Sequence, residues 1–210
     1  MPVENVTAEV ALARLREGNQ RFASNVRSIA SLVSQERRAD LAAQQAPFAV
    51  ILGCSDSRAP AEIVFDLGLG DLFVIRVAGN IVAPSQVGSV EFAVERFGTR
   101  LVVVMGHTHC GAIAATLEAI GTEEGGPRSR NLLSIVDRIR PAIAPLLEDE
   151  VKDRKALERR AGRANVRFAA DHLRHGSVVL ESMVMNHGLV VVGAQYDIES
   201  GVVDFFDGVP

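Results

Sequence analysis

The chain has 210 residues, 48% hydrophobic and 23% charged, which is enough apolar material for one substantial core and calls for no second domain. Its formal net charge of −4 excludes the strongly basic surface that nucleic acid or an anionic membrane selects. No apolar run approaches the roughly 20 residues of a membrane span, and the opening Met1-Pro-Val-Glu-Asn-Val-Thr7 has neither the basic start nor the apolar centre of an export signal, so the expected location is cytoplasmic.

Thr7 predicts an N-cap, and Ala8, Ala11, Leu12, Leu15 and Phe22 fall on one face of a first amphipathic helix. A polar connection leads to a second helix over about Ser34 to Gln45, which Pro47 stops. The run from Phe48 to Gly53 holds no charge and no polar side chain and reads as a strand buried on both faces; it stops abruptly in Cys54-Ser-Asp56-Ser-Arg58. Pro60 suits the first turn of a short helix through Phe65, and Gly68-Leu-Gly-Asp71 turns the chain into a second strand, Leu72 to Val77. That glycine pair lacks the third glycine of a dinucleotide fingerprint. A helix over Ser85 to Phe97 ends at Gly98. The third strand, Leu101 to Met105, runs into Gly106-His107-Thr108-His109-Cys110-Gly111, and Ala112 to Ile120 then reads as a helix. After a loop at Gly125-Gly126-Pro127, a charged helical region extends from about Asn131 to Leu173 with interruptions expected near Pro141 and Pro145. Val178 to Met185 fits a strand or a helix by periodicity; helix is favoured because Leu189 to Val192, just after His187-Gly188, makes a better fourth strand. Val202 to Phe206 is a fifth strand, at an edge.

Strands separated by helices predict an α/β fold with a mostly parallel sheet and right-handed crossovers. Reactive side chains follow the first and third strands but not the second, which makes those two neighbours and gives the order 2-1-3-4 with an edge strand. The site then falls at a topological switch point.

Cys54 and Cys110 are the only cysteines, and in a reducing compartment two thiols serve more often as metal ligands or catalysts than as a disulfide. A His and a Cys three apart, His107 and Cys110, straddle a helix start and can meet one ion, with Cys54 from the adjacent strand end as third ligand. Sulfur and imidazole are the zinc set, and Cys2His with one position left over is the pattern of a catalytic site. The competing reading, a redox thiol pair, lacks Cys-x-x-Cys and leaves His107 without a role. The side chain of His109 should point away from that of His107 and lie behind the ligands or on the surface; His172, His175 and His187 are expected on the surface or at helix ends. Asp56 beside Arg58 stays ionised and is held in one orientation, which suits a group that accepts a hydrogen bond.

Cys54-Ser-Asp56-Ser-Arg58 followed by Gly106-His107-Thr108-His109-Cys110-Gly111 resembles the pair of signatures of the β-class carbonic anhydrases, and the similarity runs from about Leu15 to the end of the chain. The resemblance implies one Zn²⁺ per chain on Cys54, His107 and Cys110, and a catalytic dyad of Asp56 and Arg58. The implied activity is the reversible hydration of carbon dioxide to bicarbonate by attack of zinc-bound hydroxide. Gln45, nine residues before Cys54, matches the glutamine of the plant-like subgroup that hydrogen-bonds substrate across a dimer interface. Phe73 and Phe92 match aromatic pocket positions, and Gly111 the glycine whose N–H faces the substrate. A single domain, 1–210, is implied, with N-terminal helices (about 7–45) packing on a partner subunit in a homodimer or a tetramer built from dimers. Ile51 stands where the bicarbonate-regulated bacterial subgroup has Trp, so such anion regulation is not implied. The segment Ala59-Pro-Ala-Glu62 resembles that of closed-form bacterial enzymes, in which the equivalent of Asp56 becomes a fourth metal ligand at low pH. Two alternatives stay open: hydrolysis of carbonyl sulfide or carbon disulfide on the same scaffold, and a zinc- or anion-binding homologue without turnover.

Overall fold

Every residue of strand β1, Ala49–Gly53, is buried, and its side chains divide between two cores. Ala49 and Ile51 enter one apolar layer, Val50 and Leu52 the other, as the alternation of a strand requires. Strand β3, Leu101–His107, divides the same way, with Leu101, Val103 and Met105 on one side and Val102 and Val104 on the other. A strand dressed with apolar side chains on both faces can only be central, and these two lie side by side. The computed structural model describes residues 5–26, 38–39, 41–121, 129–147 and 153–210. Within it the sheet has five strands in the order β2-β1-β3-β4-β5, where β2 is Leu72–Arg76, β4 Val190–Tyr196 and β5 Val203–Asp207. β1 to β4 are parallel and β5 lies at the edge, as the sequence predicts; the antiparallel direction of β5 is seen only in the structure.

Helix α1, Ala8–Ala23, covers one face: Thr7 Oγ1 caps it by accepting the Val10 N–H, and Ala8, Ala11, Leu12 and Leu15 enter the core beside Phe65, the C-cap of the short helix α2, Ala61–Val64. The other face carries α3 (Pro84–Phe97) through Val90, Ala93 and Val94, and α6 (Arg154–His175) through Val166, Ala169, Ala170 and Leu173. Helices α4 (Gly111–Gly121) and α5 (Arg130–Ile143) enclose a third apolar cluster that reaches Cys54 and Cys110, and α7 is Val178–Asn186.

Several sequence boundaries move. β3 continues past Met105, so His107 belongs to the strand itself: Gly106 and His107 pair with Gln195 and Tyr196 of β4. Gly106 permits this because α6 presses on the strand there, and a Cβ would sit 2.7 Å from a Val166 methyl. Pro141 does not interrupt its helix. It lies in the last turn of α5, where only a terminal hydrogen bond is forfeited, and the chain continues as a 3₁₀ turn, Ala144–Leu147. Pro60 is the N-cap of α2 rather than part of its first turn. Residues 34–37 and 40 of the expected second helix lie outside the described residues; the described part is helical at Arg38, Ala39 and Leu41 and closes with Ala42 N–H donating to the Ala39 carbonyl. Gln45 therefore stands in an exposed irregular stretch past the helix, since Pro47 disfavours helical backbone just before it.

Candidate metal centre and its family

Two strands and a helix start bring the site together. Cys54 follows the last residue of β1, His107 ends β3, and Cys110 precedes α4; the pairing of Gly53 with Met105 lays the two strand ends beside each other. All three residues are buried, and their ligand atoms lie within 4.8 Å of one another, close enough to hold one metal ion. His107 shows which nitrogen is available. Its Nδ1 lies 2.9 Å from the Thr108 carbonyl, which only accepts, so Nδ1 carries the hydrogen and the lone pair is on Nε2. Nε2 is buried without a hydrogen-bond partner, a costly arrangement that a metal would relieve.

The two thiols pull each other's ionisation in opposite directions. The hydrogen bond with Cys110 holds the Cys54 thiol well below its ordinary value, with further help from His107 and the backbone N–H of Gly79, while the same contact and burial push Cys110 up. Burial works against charge on His107, yet the neighbouring Cys54 and the Thr108 carbonyl outweigh it and the net shift is upward. A divalent cation is the counter-charge that would let both sulfurs ionise together.

Asp56 sits beside this cluster, with Oδ2 3.8 Å from His107 Nε2. Arg58 grips it in a fork: Nε donates to Oδ1 at 2.9 Å, Nη2 to Oδ2 at 2.8 Å, and the backbone N–H of Arg58 to Oδ1 at 3.0 Å. The fork holds the Asp56 carboxyl far below the usual carboxylate range, so it is an acceptor at any ordinary pH. Three parts of this arrangement escape sequence reading. Nη2 of Arg58 also donates to the His109 carbonyl at 3.1 Å, made possible by a left-handed His109 with φ of 56°. Arg76, at the end of β2, donates from Nε to the Cys54 carbonyl at 2.9 Å and from Nη2 to the Asp56 carbonyl at 2.6 Å. Gly79 donates its N–H to Cys54 Sγ at 3.3 Å. The only sequence signal was a charged residue closing an apolar strand next to the switch point. The His109 side chain is half exposed, 3.4 Å from Glu199, and takes no part in the cluster. His172, His175 and His187 are exposed at helix ends.

Gly111, exposed, opens α4 next to Cys110. Gln45, Phe73 and Phe92 are not brought to this site within the chain. Phe73 pairs in register with Val50 near the start of β1, at the opposite end from Cys54, and its ring packs there at a tilt against Phe92 and Phe97 at centroid separations of 6.2 and 6.0 Å. Phe92 is 52% exposed.

The family model for carbonic anhydrase matches residues 49–203, a span that contains β1 to β4 and the whole cluster. The chain belongs to the β-carbonic anhydrase family. It is 38% identical over 203 residues to carbonic anhydrase 2 of Mycobacterium tuberculosis, covering 96% of this chain and 93% of that one. A carbonic anhydrase of Mycolicibacterium smegmatis is 37% identical over 212 residues, covering 97% and 95%. Among solved structures, a tetrameric β-carbonic anhydrase from Sordaria macrospora superposes with a TM-score of 0.72 at 25% identity, covering 94% of this chain and 95% of that one. The β-carbonic anhydrase CafA of Aspergillus fumigatus gives 0.69 at 28%, covering 96% and 91%. Members of this family hydrate carbon dioxide as their general reaction, and the carbonic anhydrase site requires a metal, for which Cys54, His107 and Cys110 are placed here. No described helix is long and apolar enough to cross a membrane.

Proposed function

We propose that this β-carbonic anhydrase hydrates carbon dioxide reversibly to bicarbonate and a proton at one zinc ion per chain, held by Cys54, His107 and Cys110. The observation that carries the reading is the buried, unpartnered Nε2 of His107 facing two thiols, with a forked, ionised Asp56 at 3.8 Å. Two sulfurs and one imidazole fit zinc and leave a fourth position for reaction. Zinc in such a site acts as a Lewis acid that lets water react as a nucleophile near neutral pH. Cys54 and Cys110, as thiolates, cancel the charge of a divalent ion, so activity rises towards alkaline pH. Asp56, aimed by Arg58, accepts a hydrogen bond from the attacking water and turns its lone pair towards the carbon of the substrate. The Gly111 N–H, in the first turn of α4 where no intrahelical acceptor exists, is the donor assigned to a substrate oxygen.

Gln45, Phe73 and Phe92 complete the substrate pocket from a second copy of the chain. Their position at the far end of β1 and the exposure of Phe92 support this, because they cannot serve the site of their own chain. The working unit is then a single-domain chain in a homodimer or a tetramer of dimers, with the N-terminal region to residue 45 at the interface. Two unpaired cysteines support a cytoplasmic location.

Stopped-flow measurement of carbon dioxide hydration, with zinc content determined on the same sample, tests the proposal. Stoichiometric zinc with fast hydration is expected. Hydrolysis of carbonyl sulfide without carbon dioxide hydration, or zinc with no turnover of either, would overturn it.

A further inference from the structure

We propose that Asn165, on α6, is a positioning residue for the metal centre: by clamping Gly79 it sets the hydrogen bond that the Cys54 sulfur accepts. The inference rests on the reading of Cys54, His107 and Cys110 as a metal site.

Asn165 is 2% exposed and its Nδ2 donates to the Gly79 carbonyl at 2.8 Å. On its other side Gly79 donates its N–H to Cys54 Sγ at 3.3 Å, so one residue links a helix side chain to a ligand sulfur. The turn that carries it is not self-supporting. Gly79 and Asn80 both have positive φ, 69° and 43°, and Asn80 is buried with Nδ2 unpartnered. Consecutive left-handed residues persist only when their surroundings over-determine them. Sideways the turn is confined: a Cβ at position 79 would lie 2.7 Å from Ile139 Cδ1 and 3.0 Å from the Ala112 methyl. Along the axis from helix to sulfur, the Asn165 carboxamide is what anchors it. An N–H donated to a thiolate ligand withdraws charge from the sulfur and fixes its direction, the kind of support whose loss costs metal sites roughly 10- to 100-fold in affinity or activity. Asn165 lies 111 positions from Cys54 in sequence and touches no ligand, so only the fold assigns it this role.

The test uses the full chain with cobalt(II) in place of the native metal, reading the thiolate-to-cobalt charge-transfer absorption and the rate at which a chelator removes the metal. Asn165→Leu keeps the volume and removes the donor; Asn165→Ala serves as a second variant should the apolar branch disturb folding. Leu173→Ala, a core truncation on the same helix among residues remote from the cluster, controls for loss of stability. Both Asn165 variants are expected to shift the charge-transfer band to longer wavelength and to release metal roughly tenfold faster or more, with Leu173→Ala unchanged in band position. Bands and release rates in both Asn165 variants that match wild type or the Leu173→Ala control would overturn the inference. Absence of a charge-transfer band in the wild-type protein would instead show that the metal site itself is misassigned, and would remove the basis of the inference with it.

Discussion

Cys54, His107 and Cys110 each bring one donor atom to within 4.8 Å of the others, and each is buried, so the loss of any one leaves only two donors for a metal ion. Cys54→Ser, His107→Ala and Cys110→Ser are each expected to abolish stoichiometric zinc, measured by elemental analysis after gel filtration; full occupancy in any of them contradicts a shared site. In the proposed mechanism Asp56 acts on water and not on metal retention. Asp56→Asn should therefore keep its zinc while losing about 100-fold or more in hydration rate, the scale of a positioned proton acceptor. Its pH behaviour has a definite sign. The folded pKa is lowered by Arg58, so whatever Asp56 contributes is in place above the unfolded value of about 4 and disappears only as pH falls below it. In protein stripped of metal, where no ion competes for the carboxylate, carboxyl NMR should show no Asp56 titration between pH 5 and 9, and a midpoint inside that window would contradict the fork. Ala59-Pro-Ala-Glu62 motivates one further expectation, that in acid some Asp56 leaves Arg58 to become a fourth metal ligand. Crystals of the zinc protein near pH 6 and pH 8.5 decide it, and an intact Asp56–Arg58 pair at both values would show that no such exchange occurs.

Helix α1 is joined to the sheet by more than its apolar face. Asn19, 5% exposed, donates from Nδ2 to the carbonyls of Val64 and Gly201 at 3.1 and 2.9 Å, and its Oδ1 accepts the Val203 N–H at 2.8 Å. One amide thus ties α1 to α2 and to the edge strand β5. Removing it strands buried backbone groups, so Asn19→Ala should cost about 3 kcal/mol in urea unfolding. A loss below about 0.5 kcal/mol, the scale of an ordinary surface change, would mean those groups find other partners. The same reasoning separates α1 from an arm held only by a partner subunit: Leu15, fully buried in its own chain, ties it to Phe65 and the sheet.

For the whole molecule, the decisive expectation concerns association. If Gln45, Phe73 and Phe92 serve the site of a second copy, the smallest active unit is a dimer, and sedimentation at assay concentration should find no monomer. A fully active monomer would leave those three residues without a function in catalysis. Phe92→Ala should then raise KM and weaken the dimer together, because the exposed ring would belong to the interface as well as to the pocket.

The sheet order was legible because physics at the residue level leaves few choices: apolar runs long enough to be strands, chemistry at the ends of only two of them, and parallel crossovers of one hand. The Cys54–His107–Cys110 cluster and the Asp56–Arg58 pair were legible as juxtapositions for a related reason, since these residues stand within a few positions of one another at the ends of two strands and need only strand adjacency to meet. What the tertiary structure alone decided lies across the chain from its partners. Asn165 reaches Gly79, Arg76 reaches two carbonyls beyond β1, and Asn19 reaches β5, and each pair is set by how a helix or strand is laid on its neighbour. Gly106 shows why strand and helix limits moved as well. Whether β3 stops at Met105 or runs on to His107 depends on the closeness of α6, a contact between segments about 60 residues apart that no local pattern encodes.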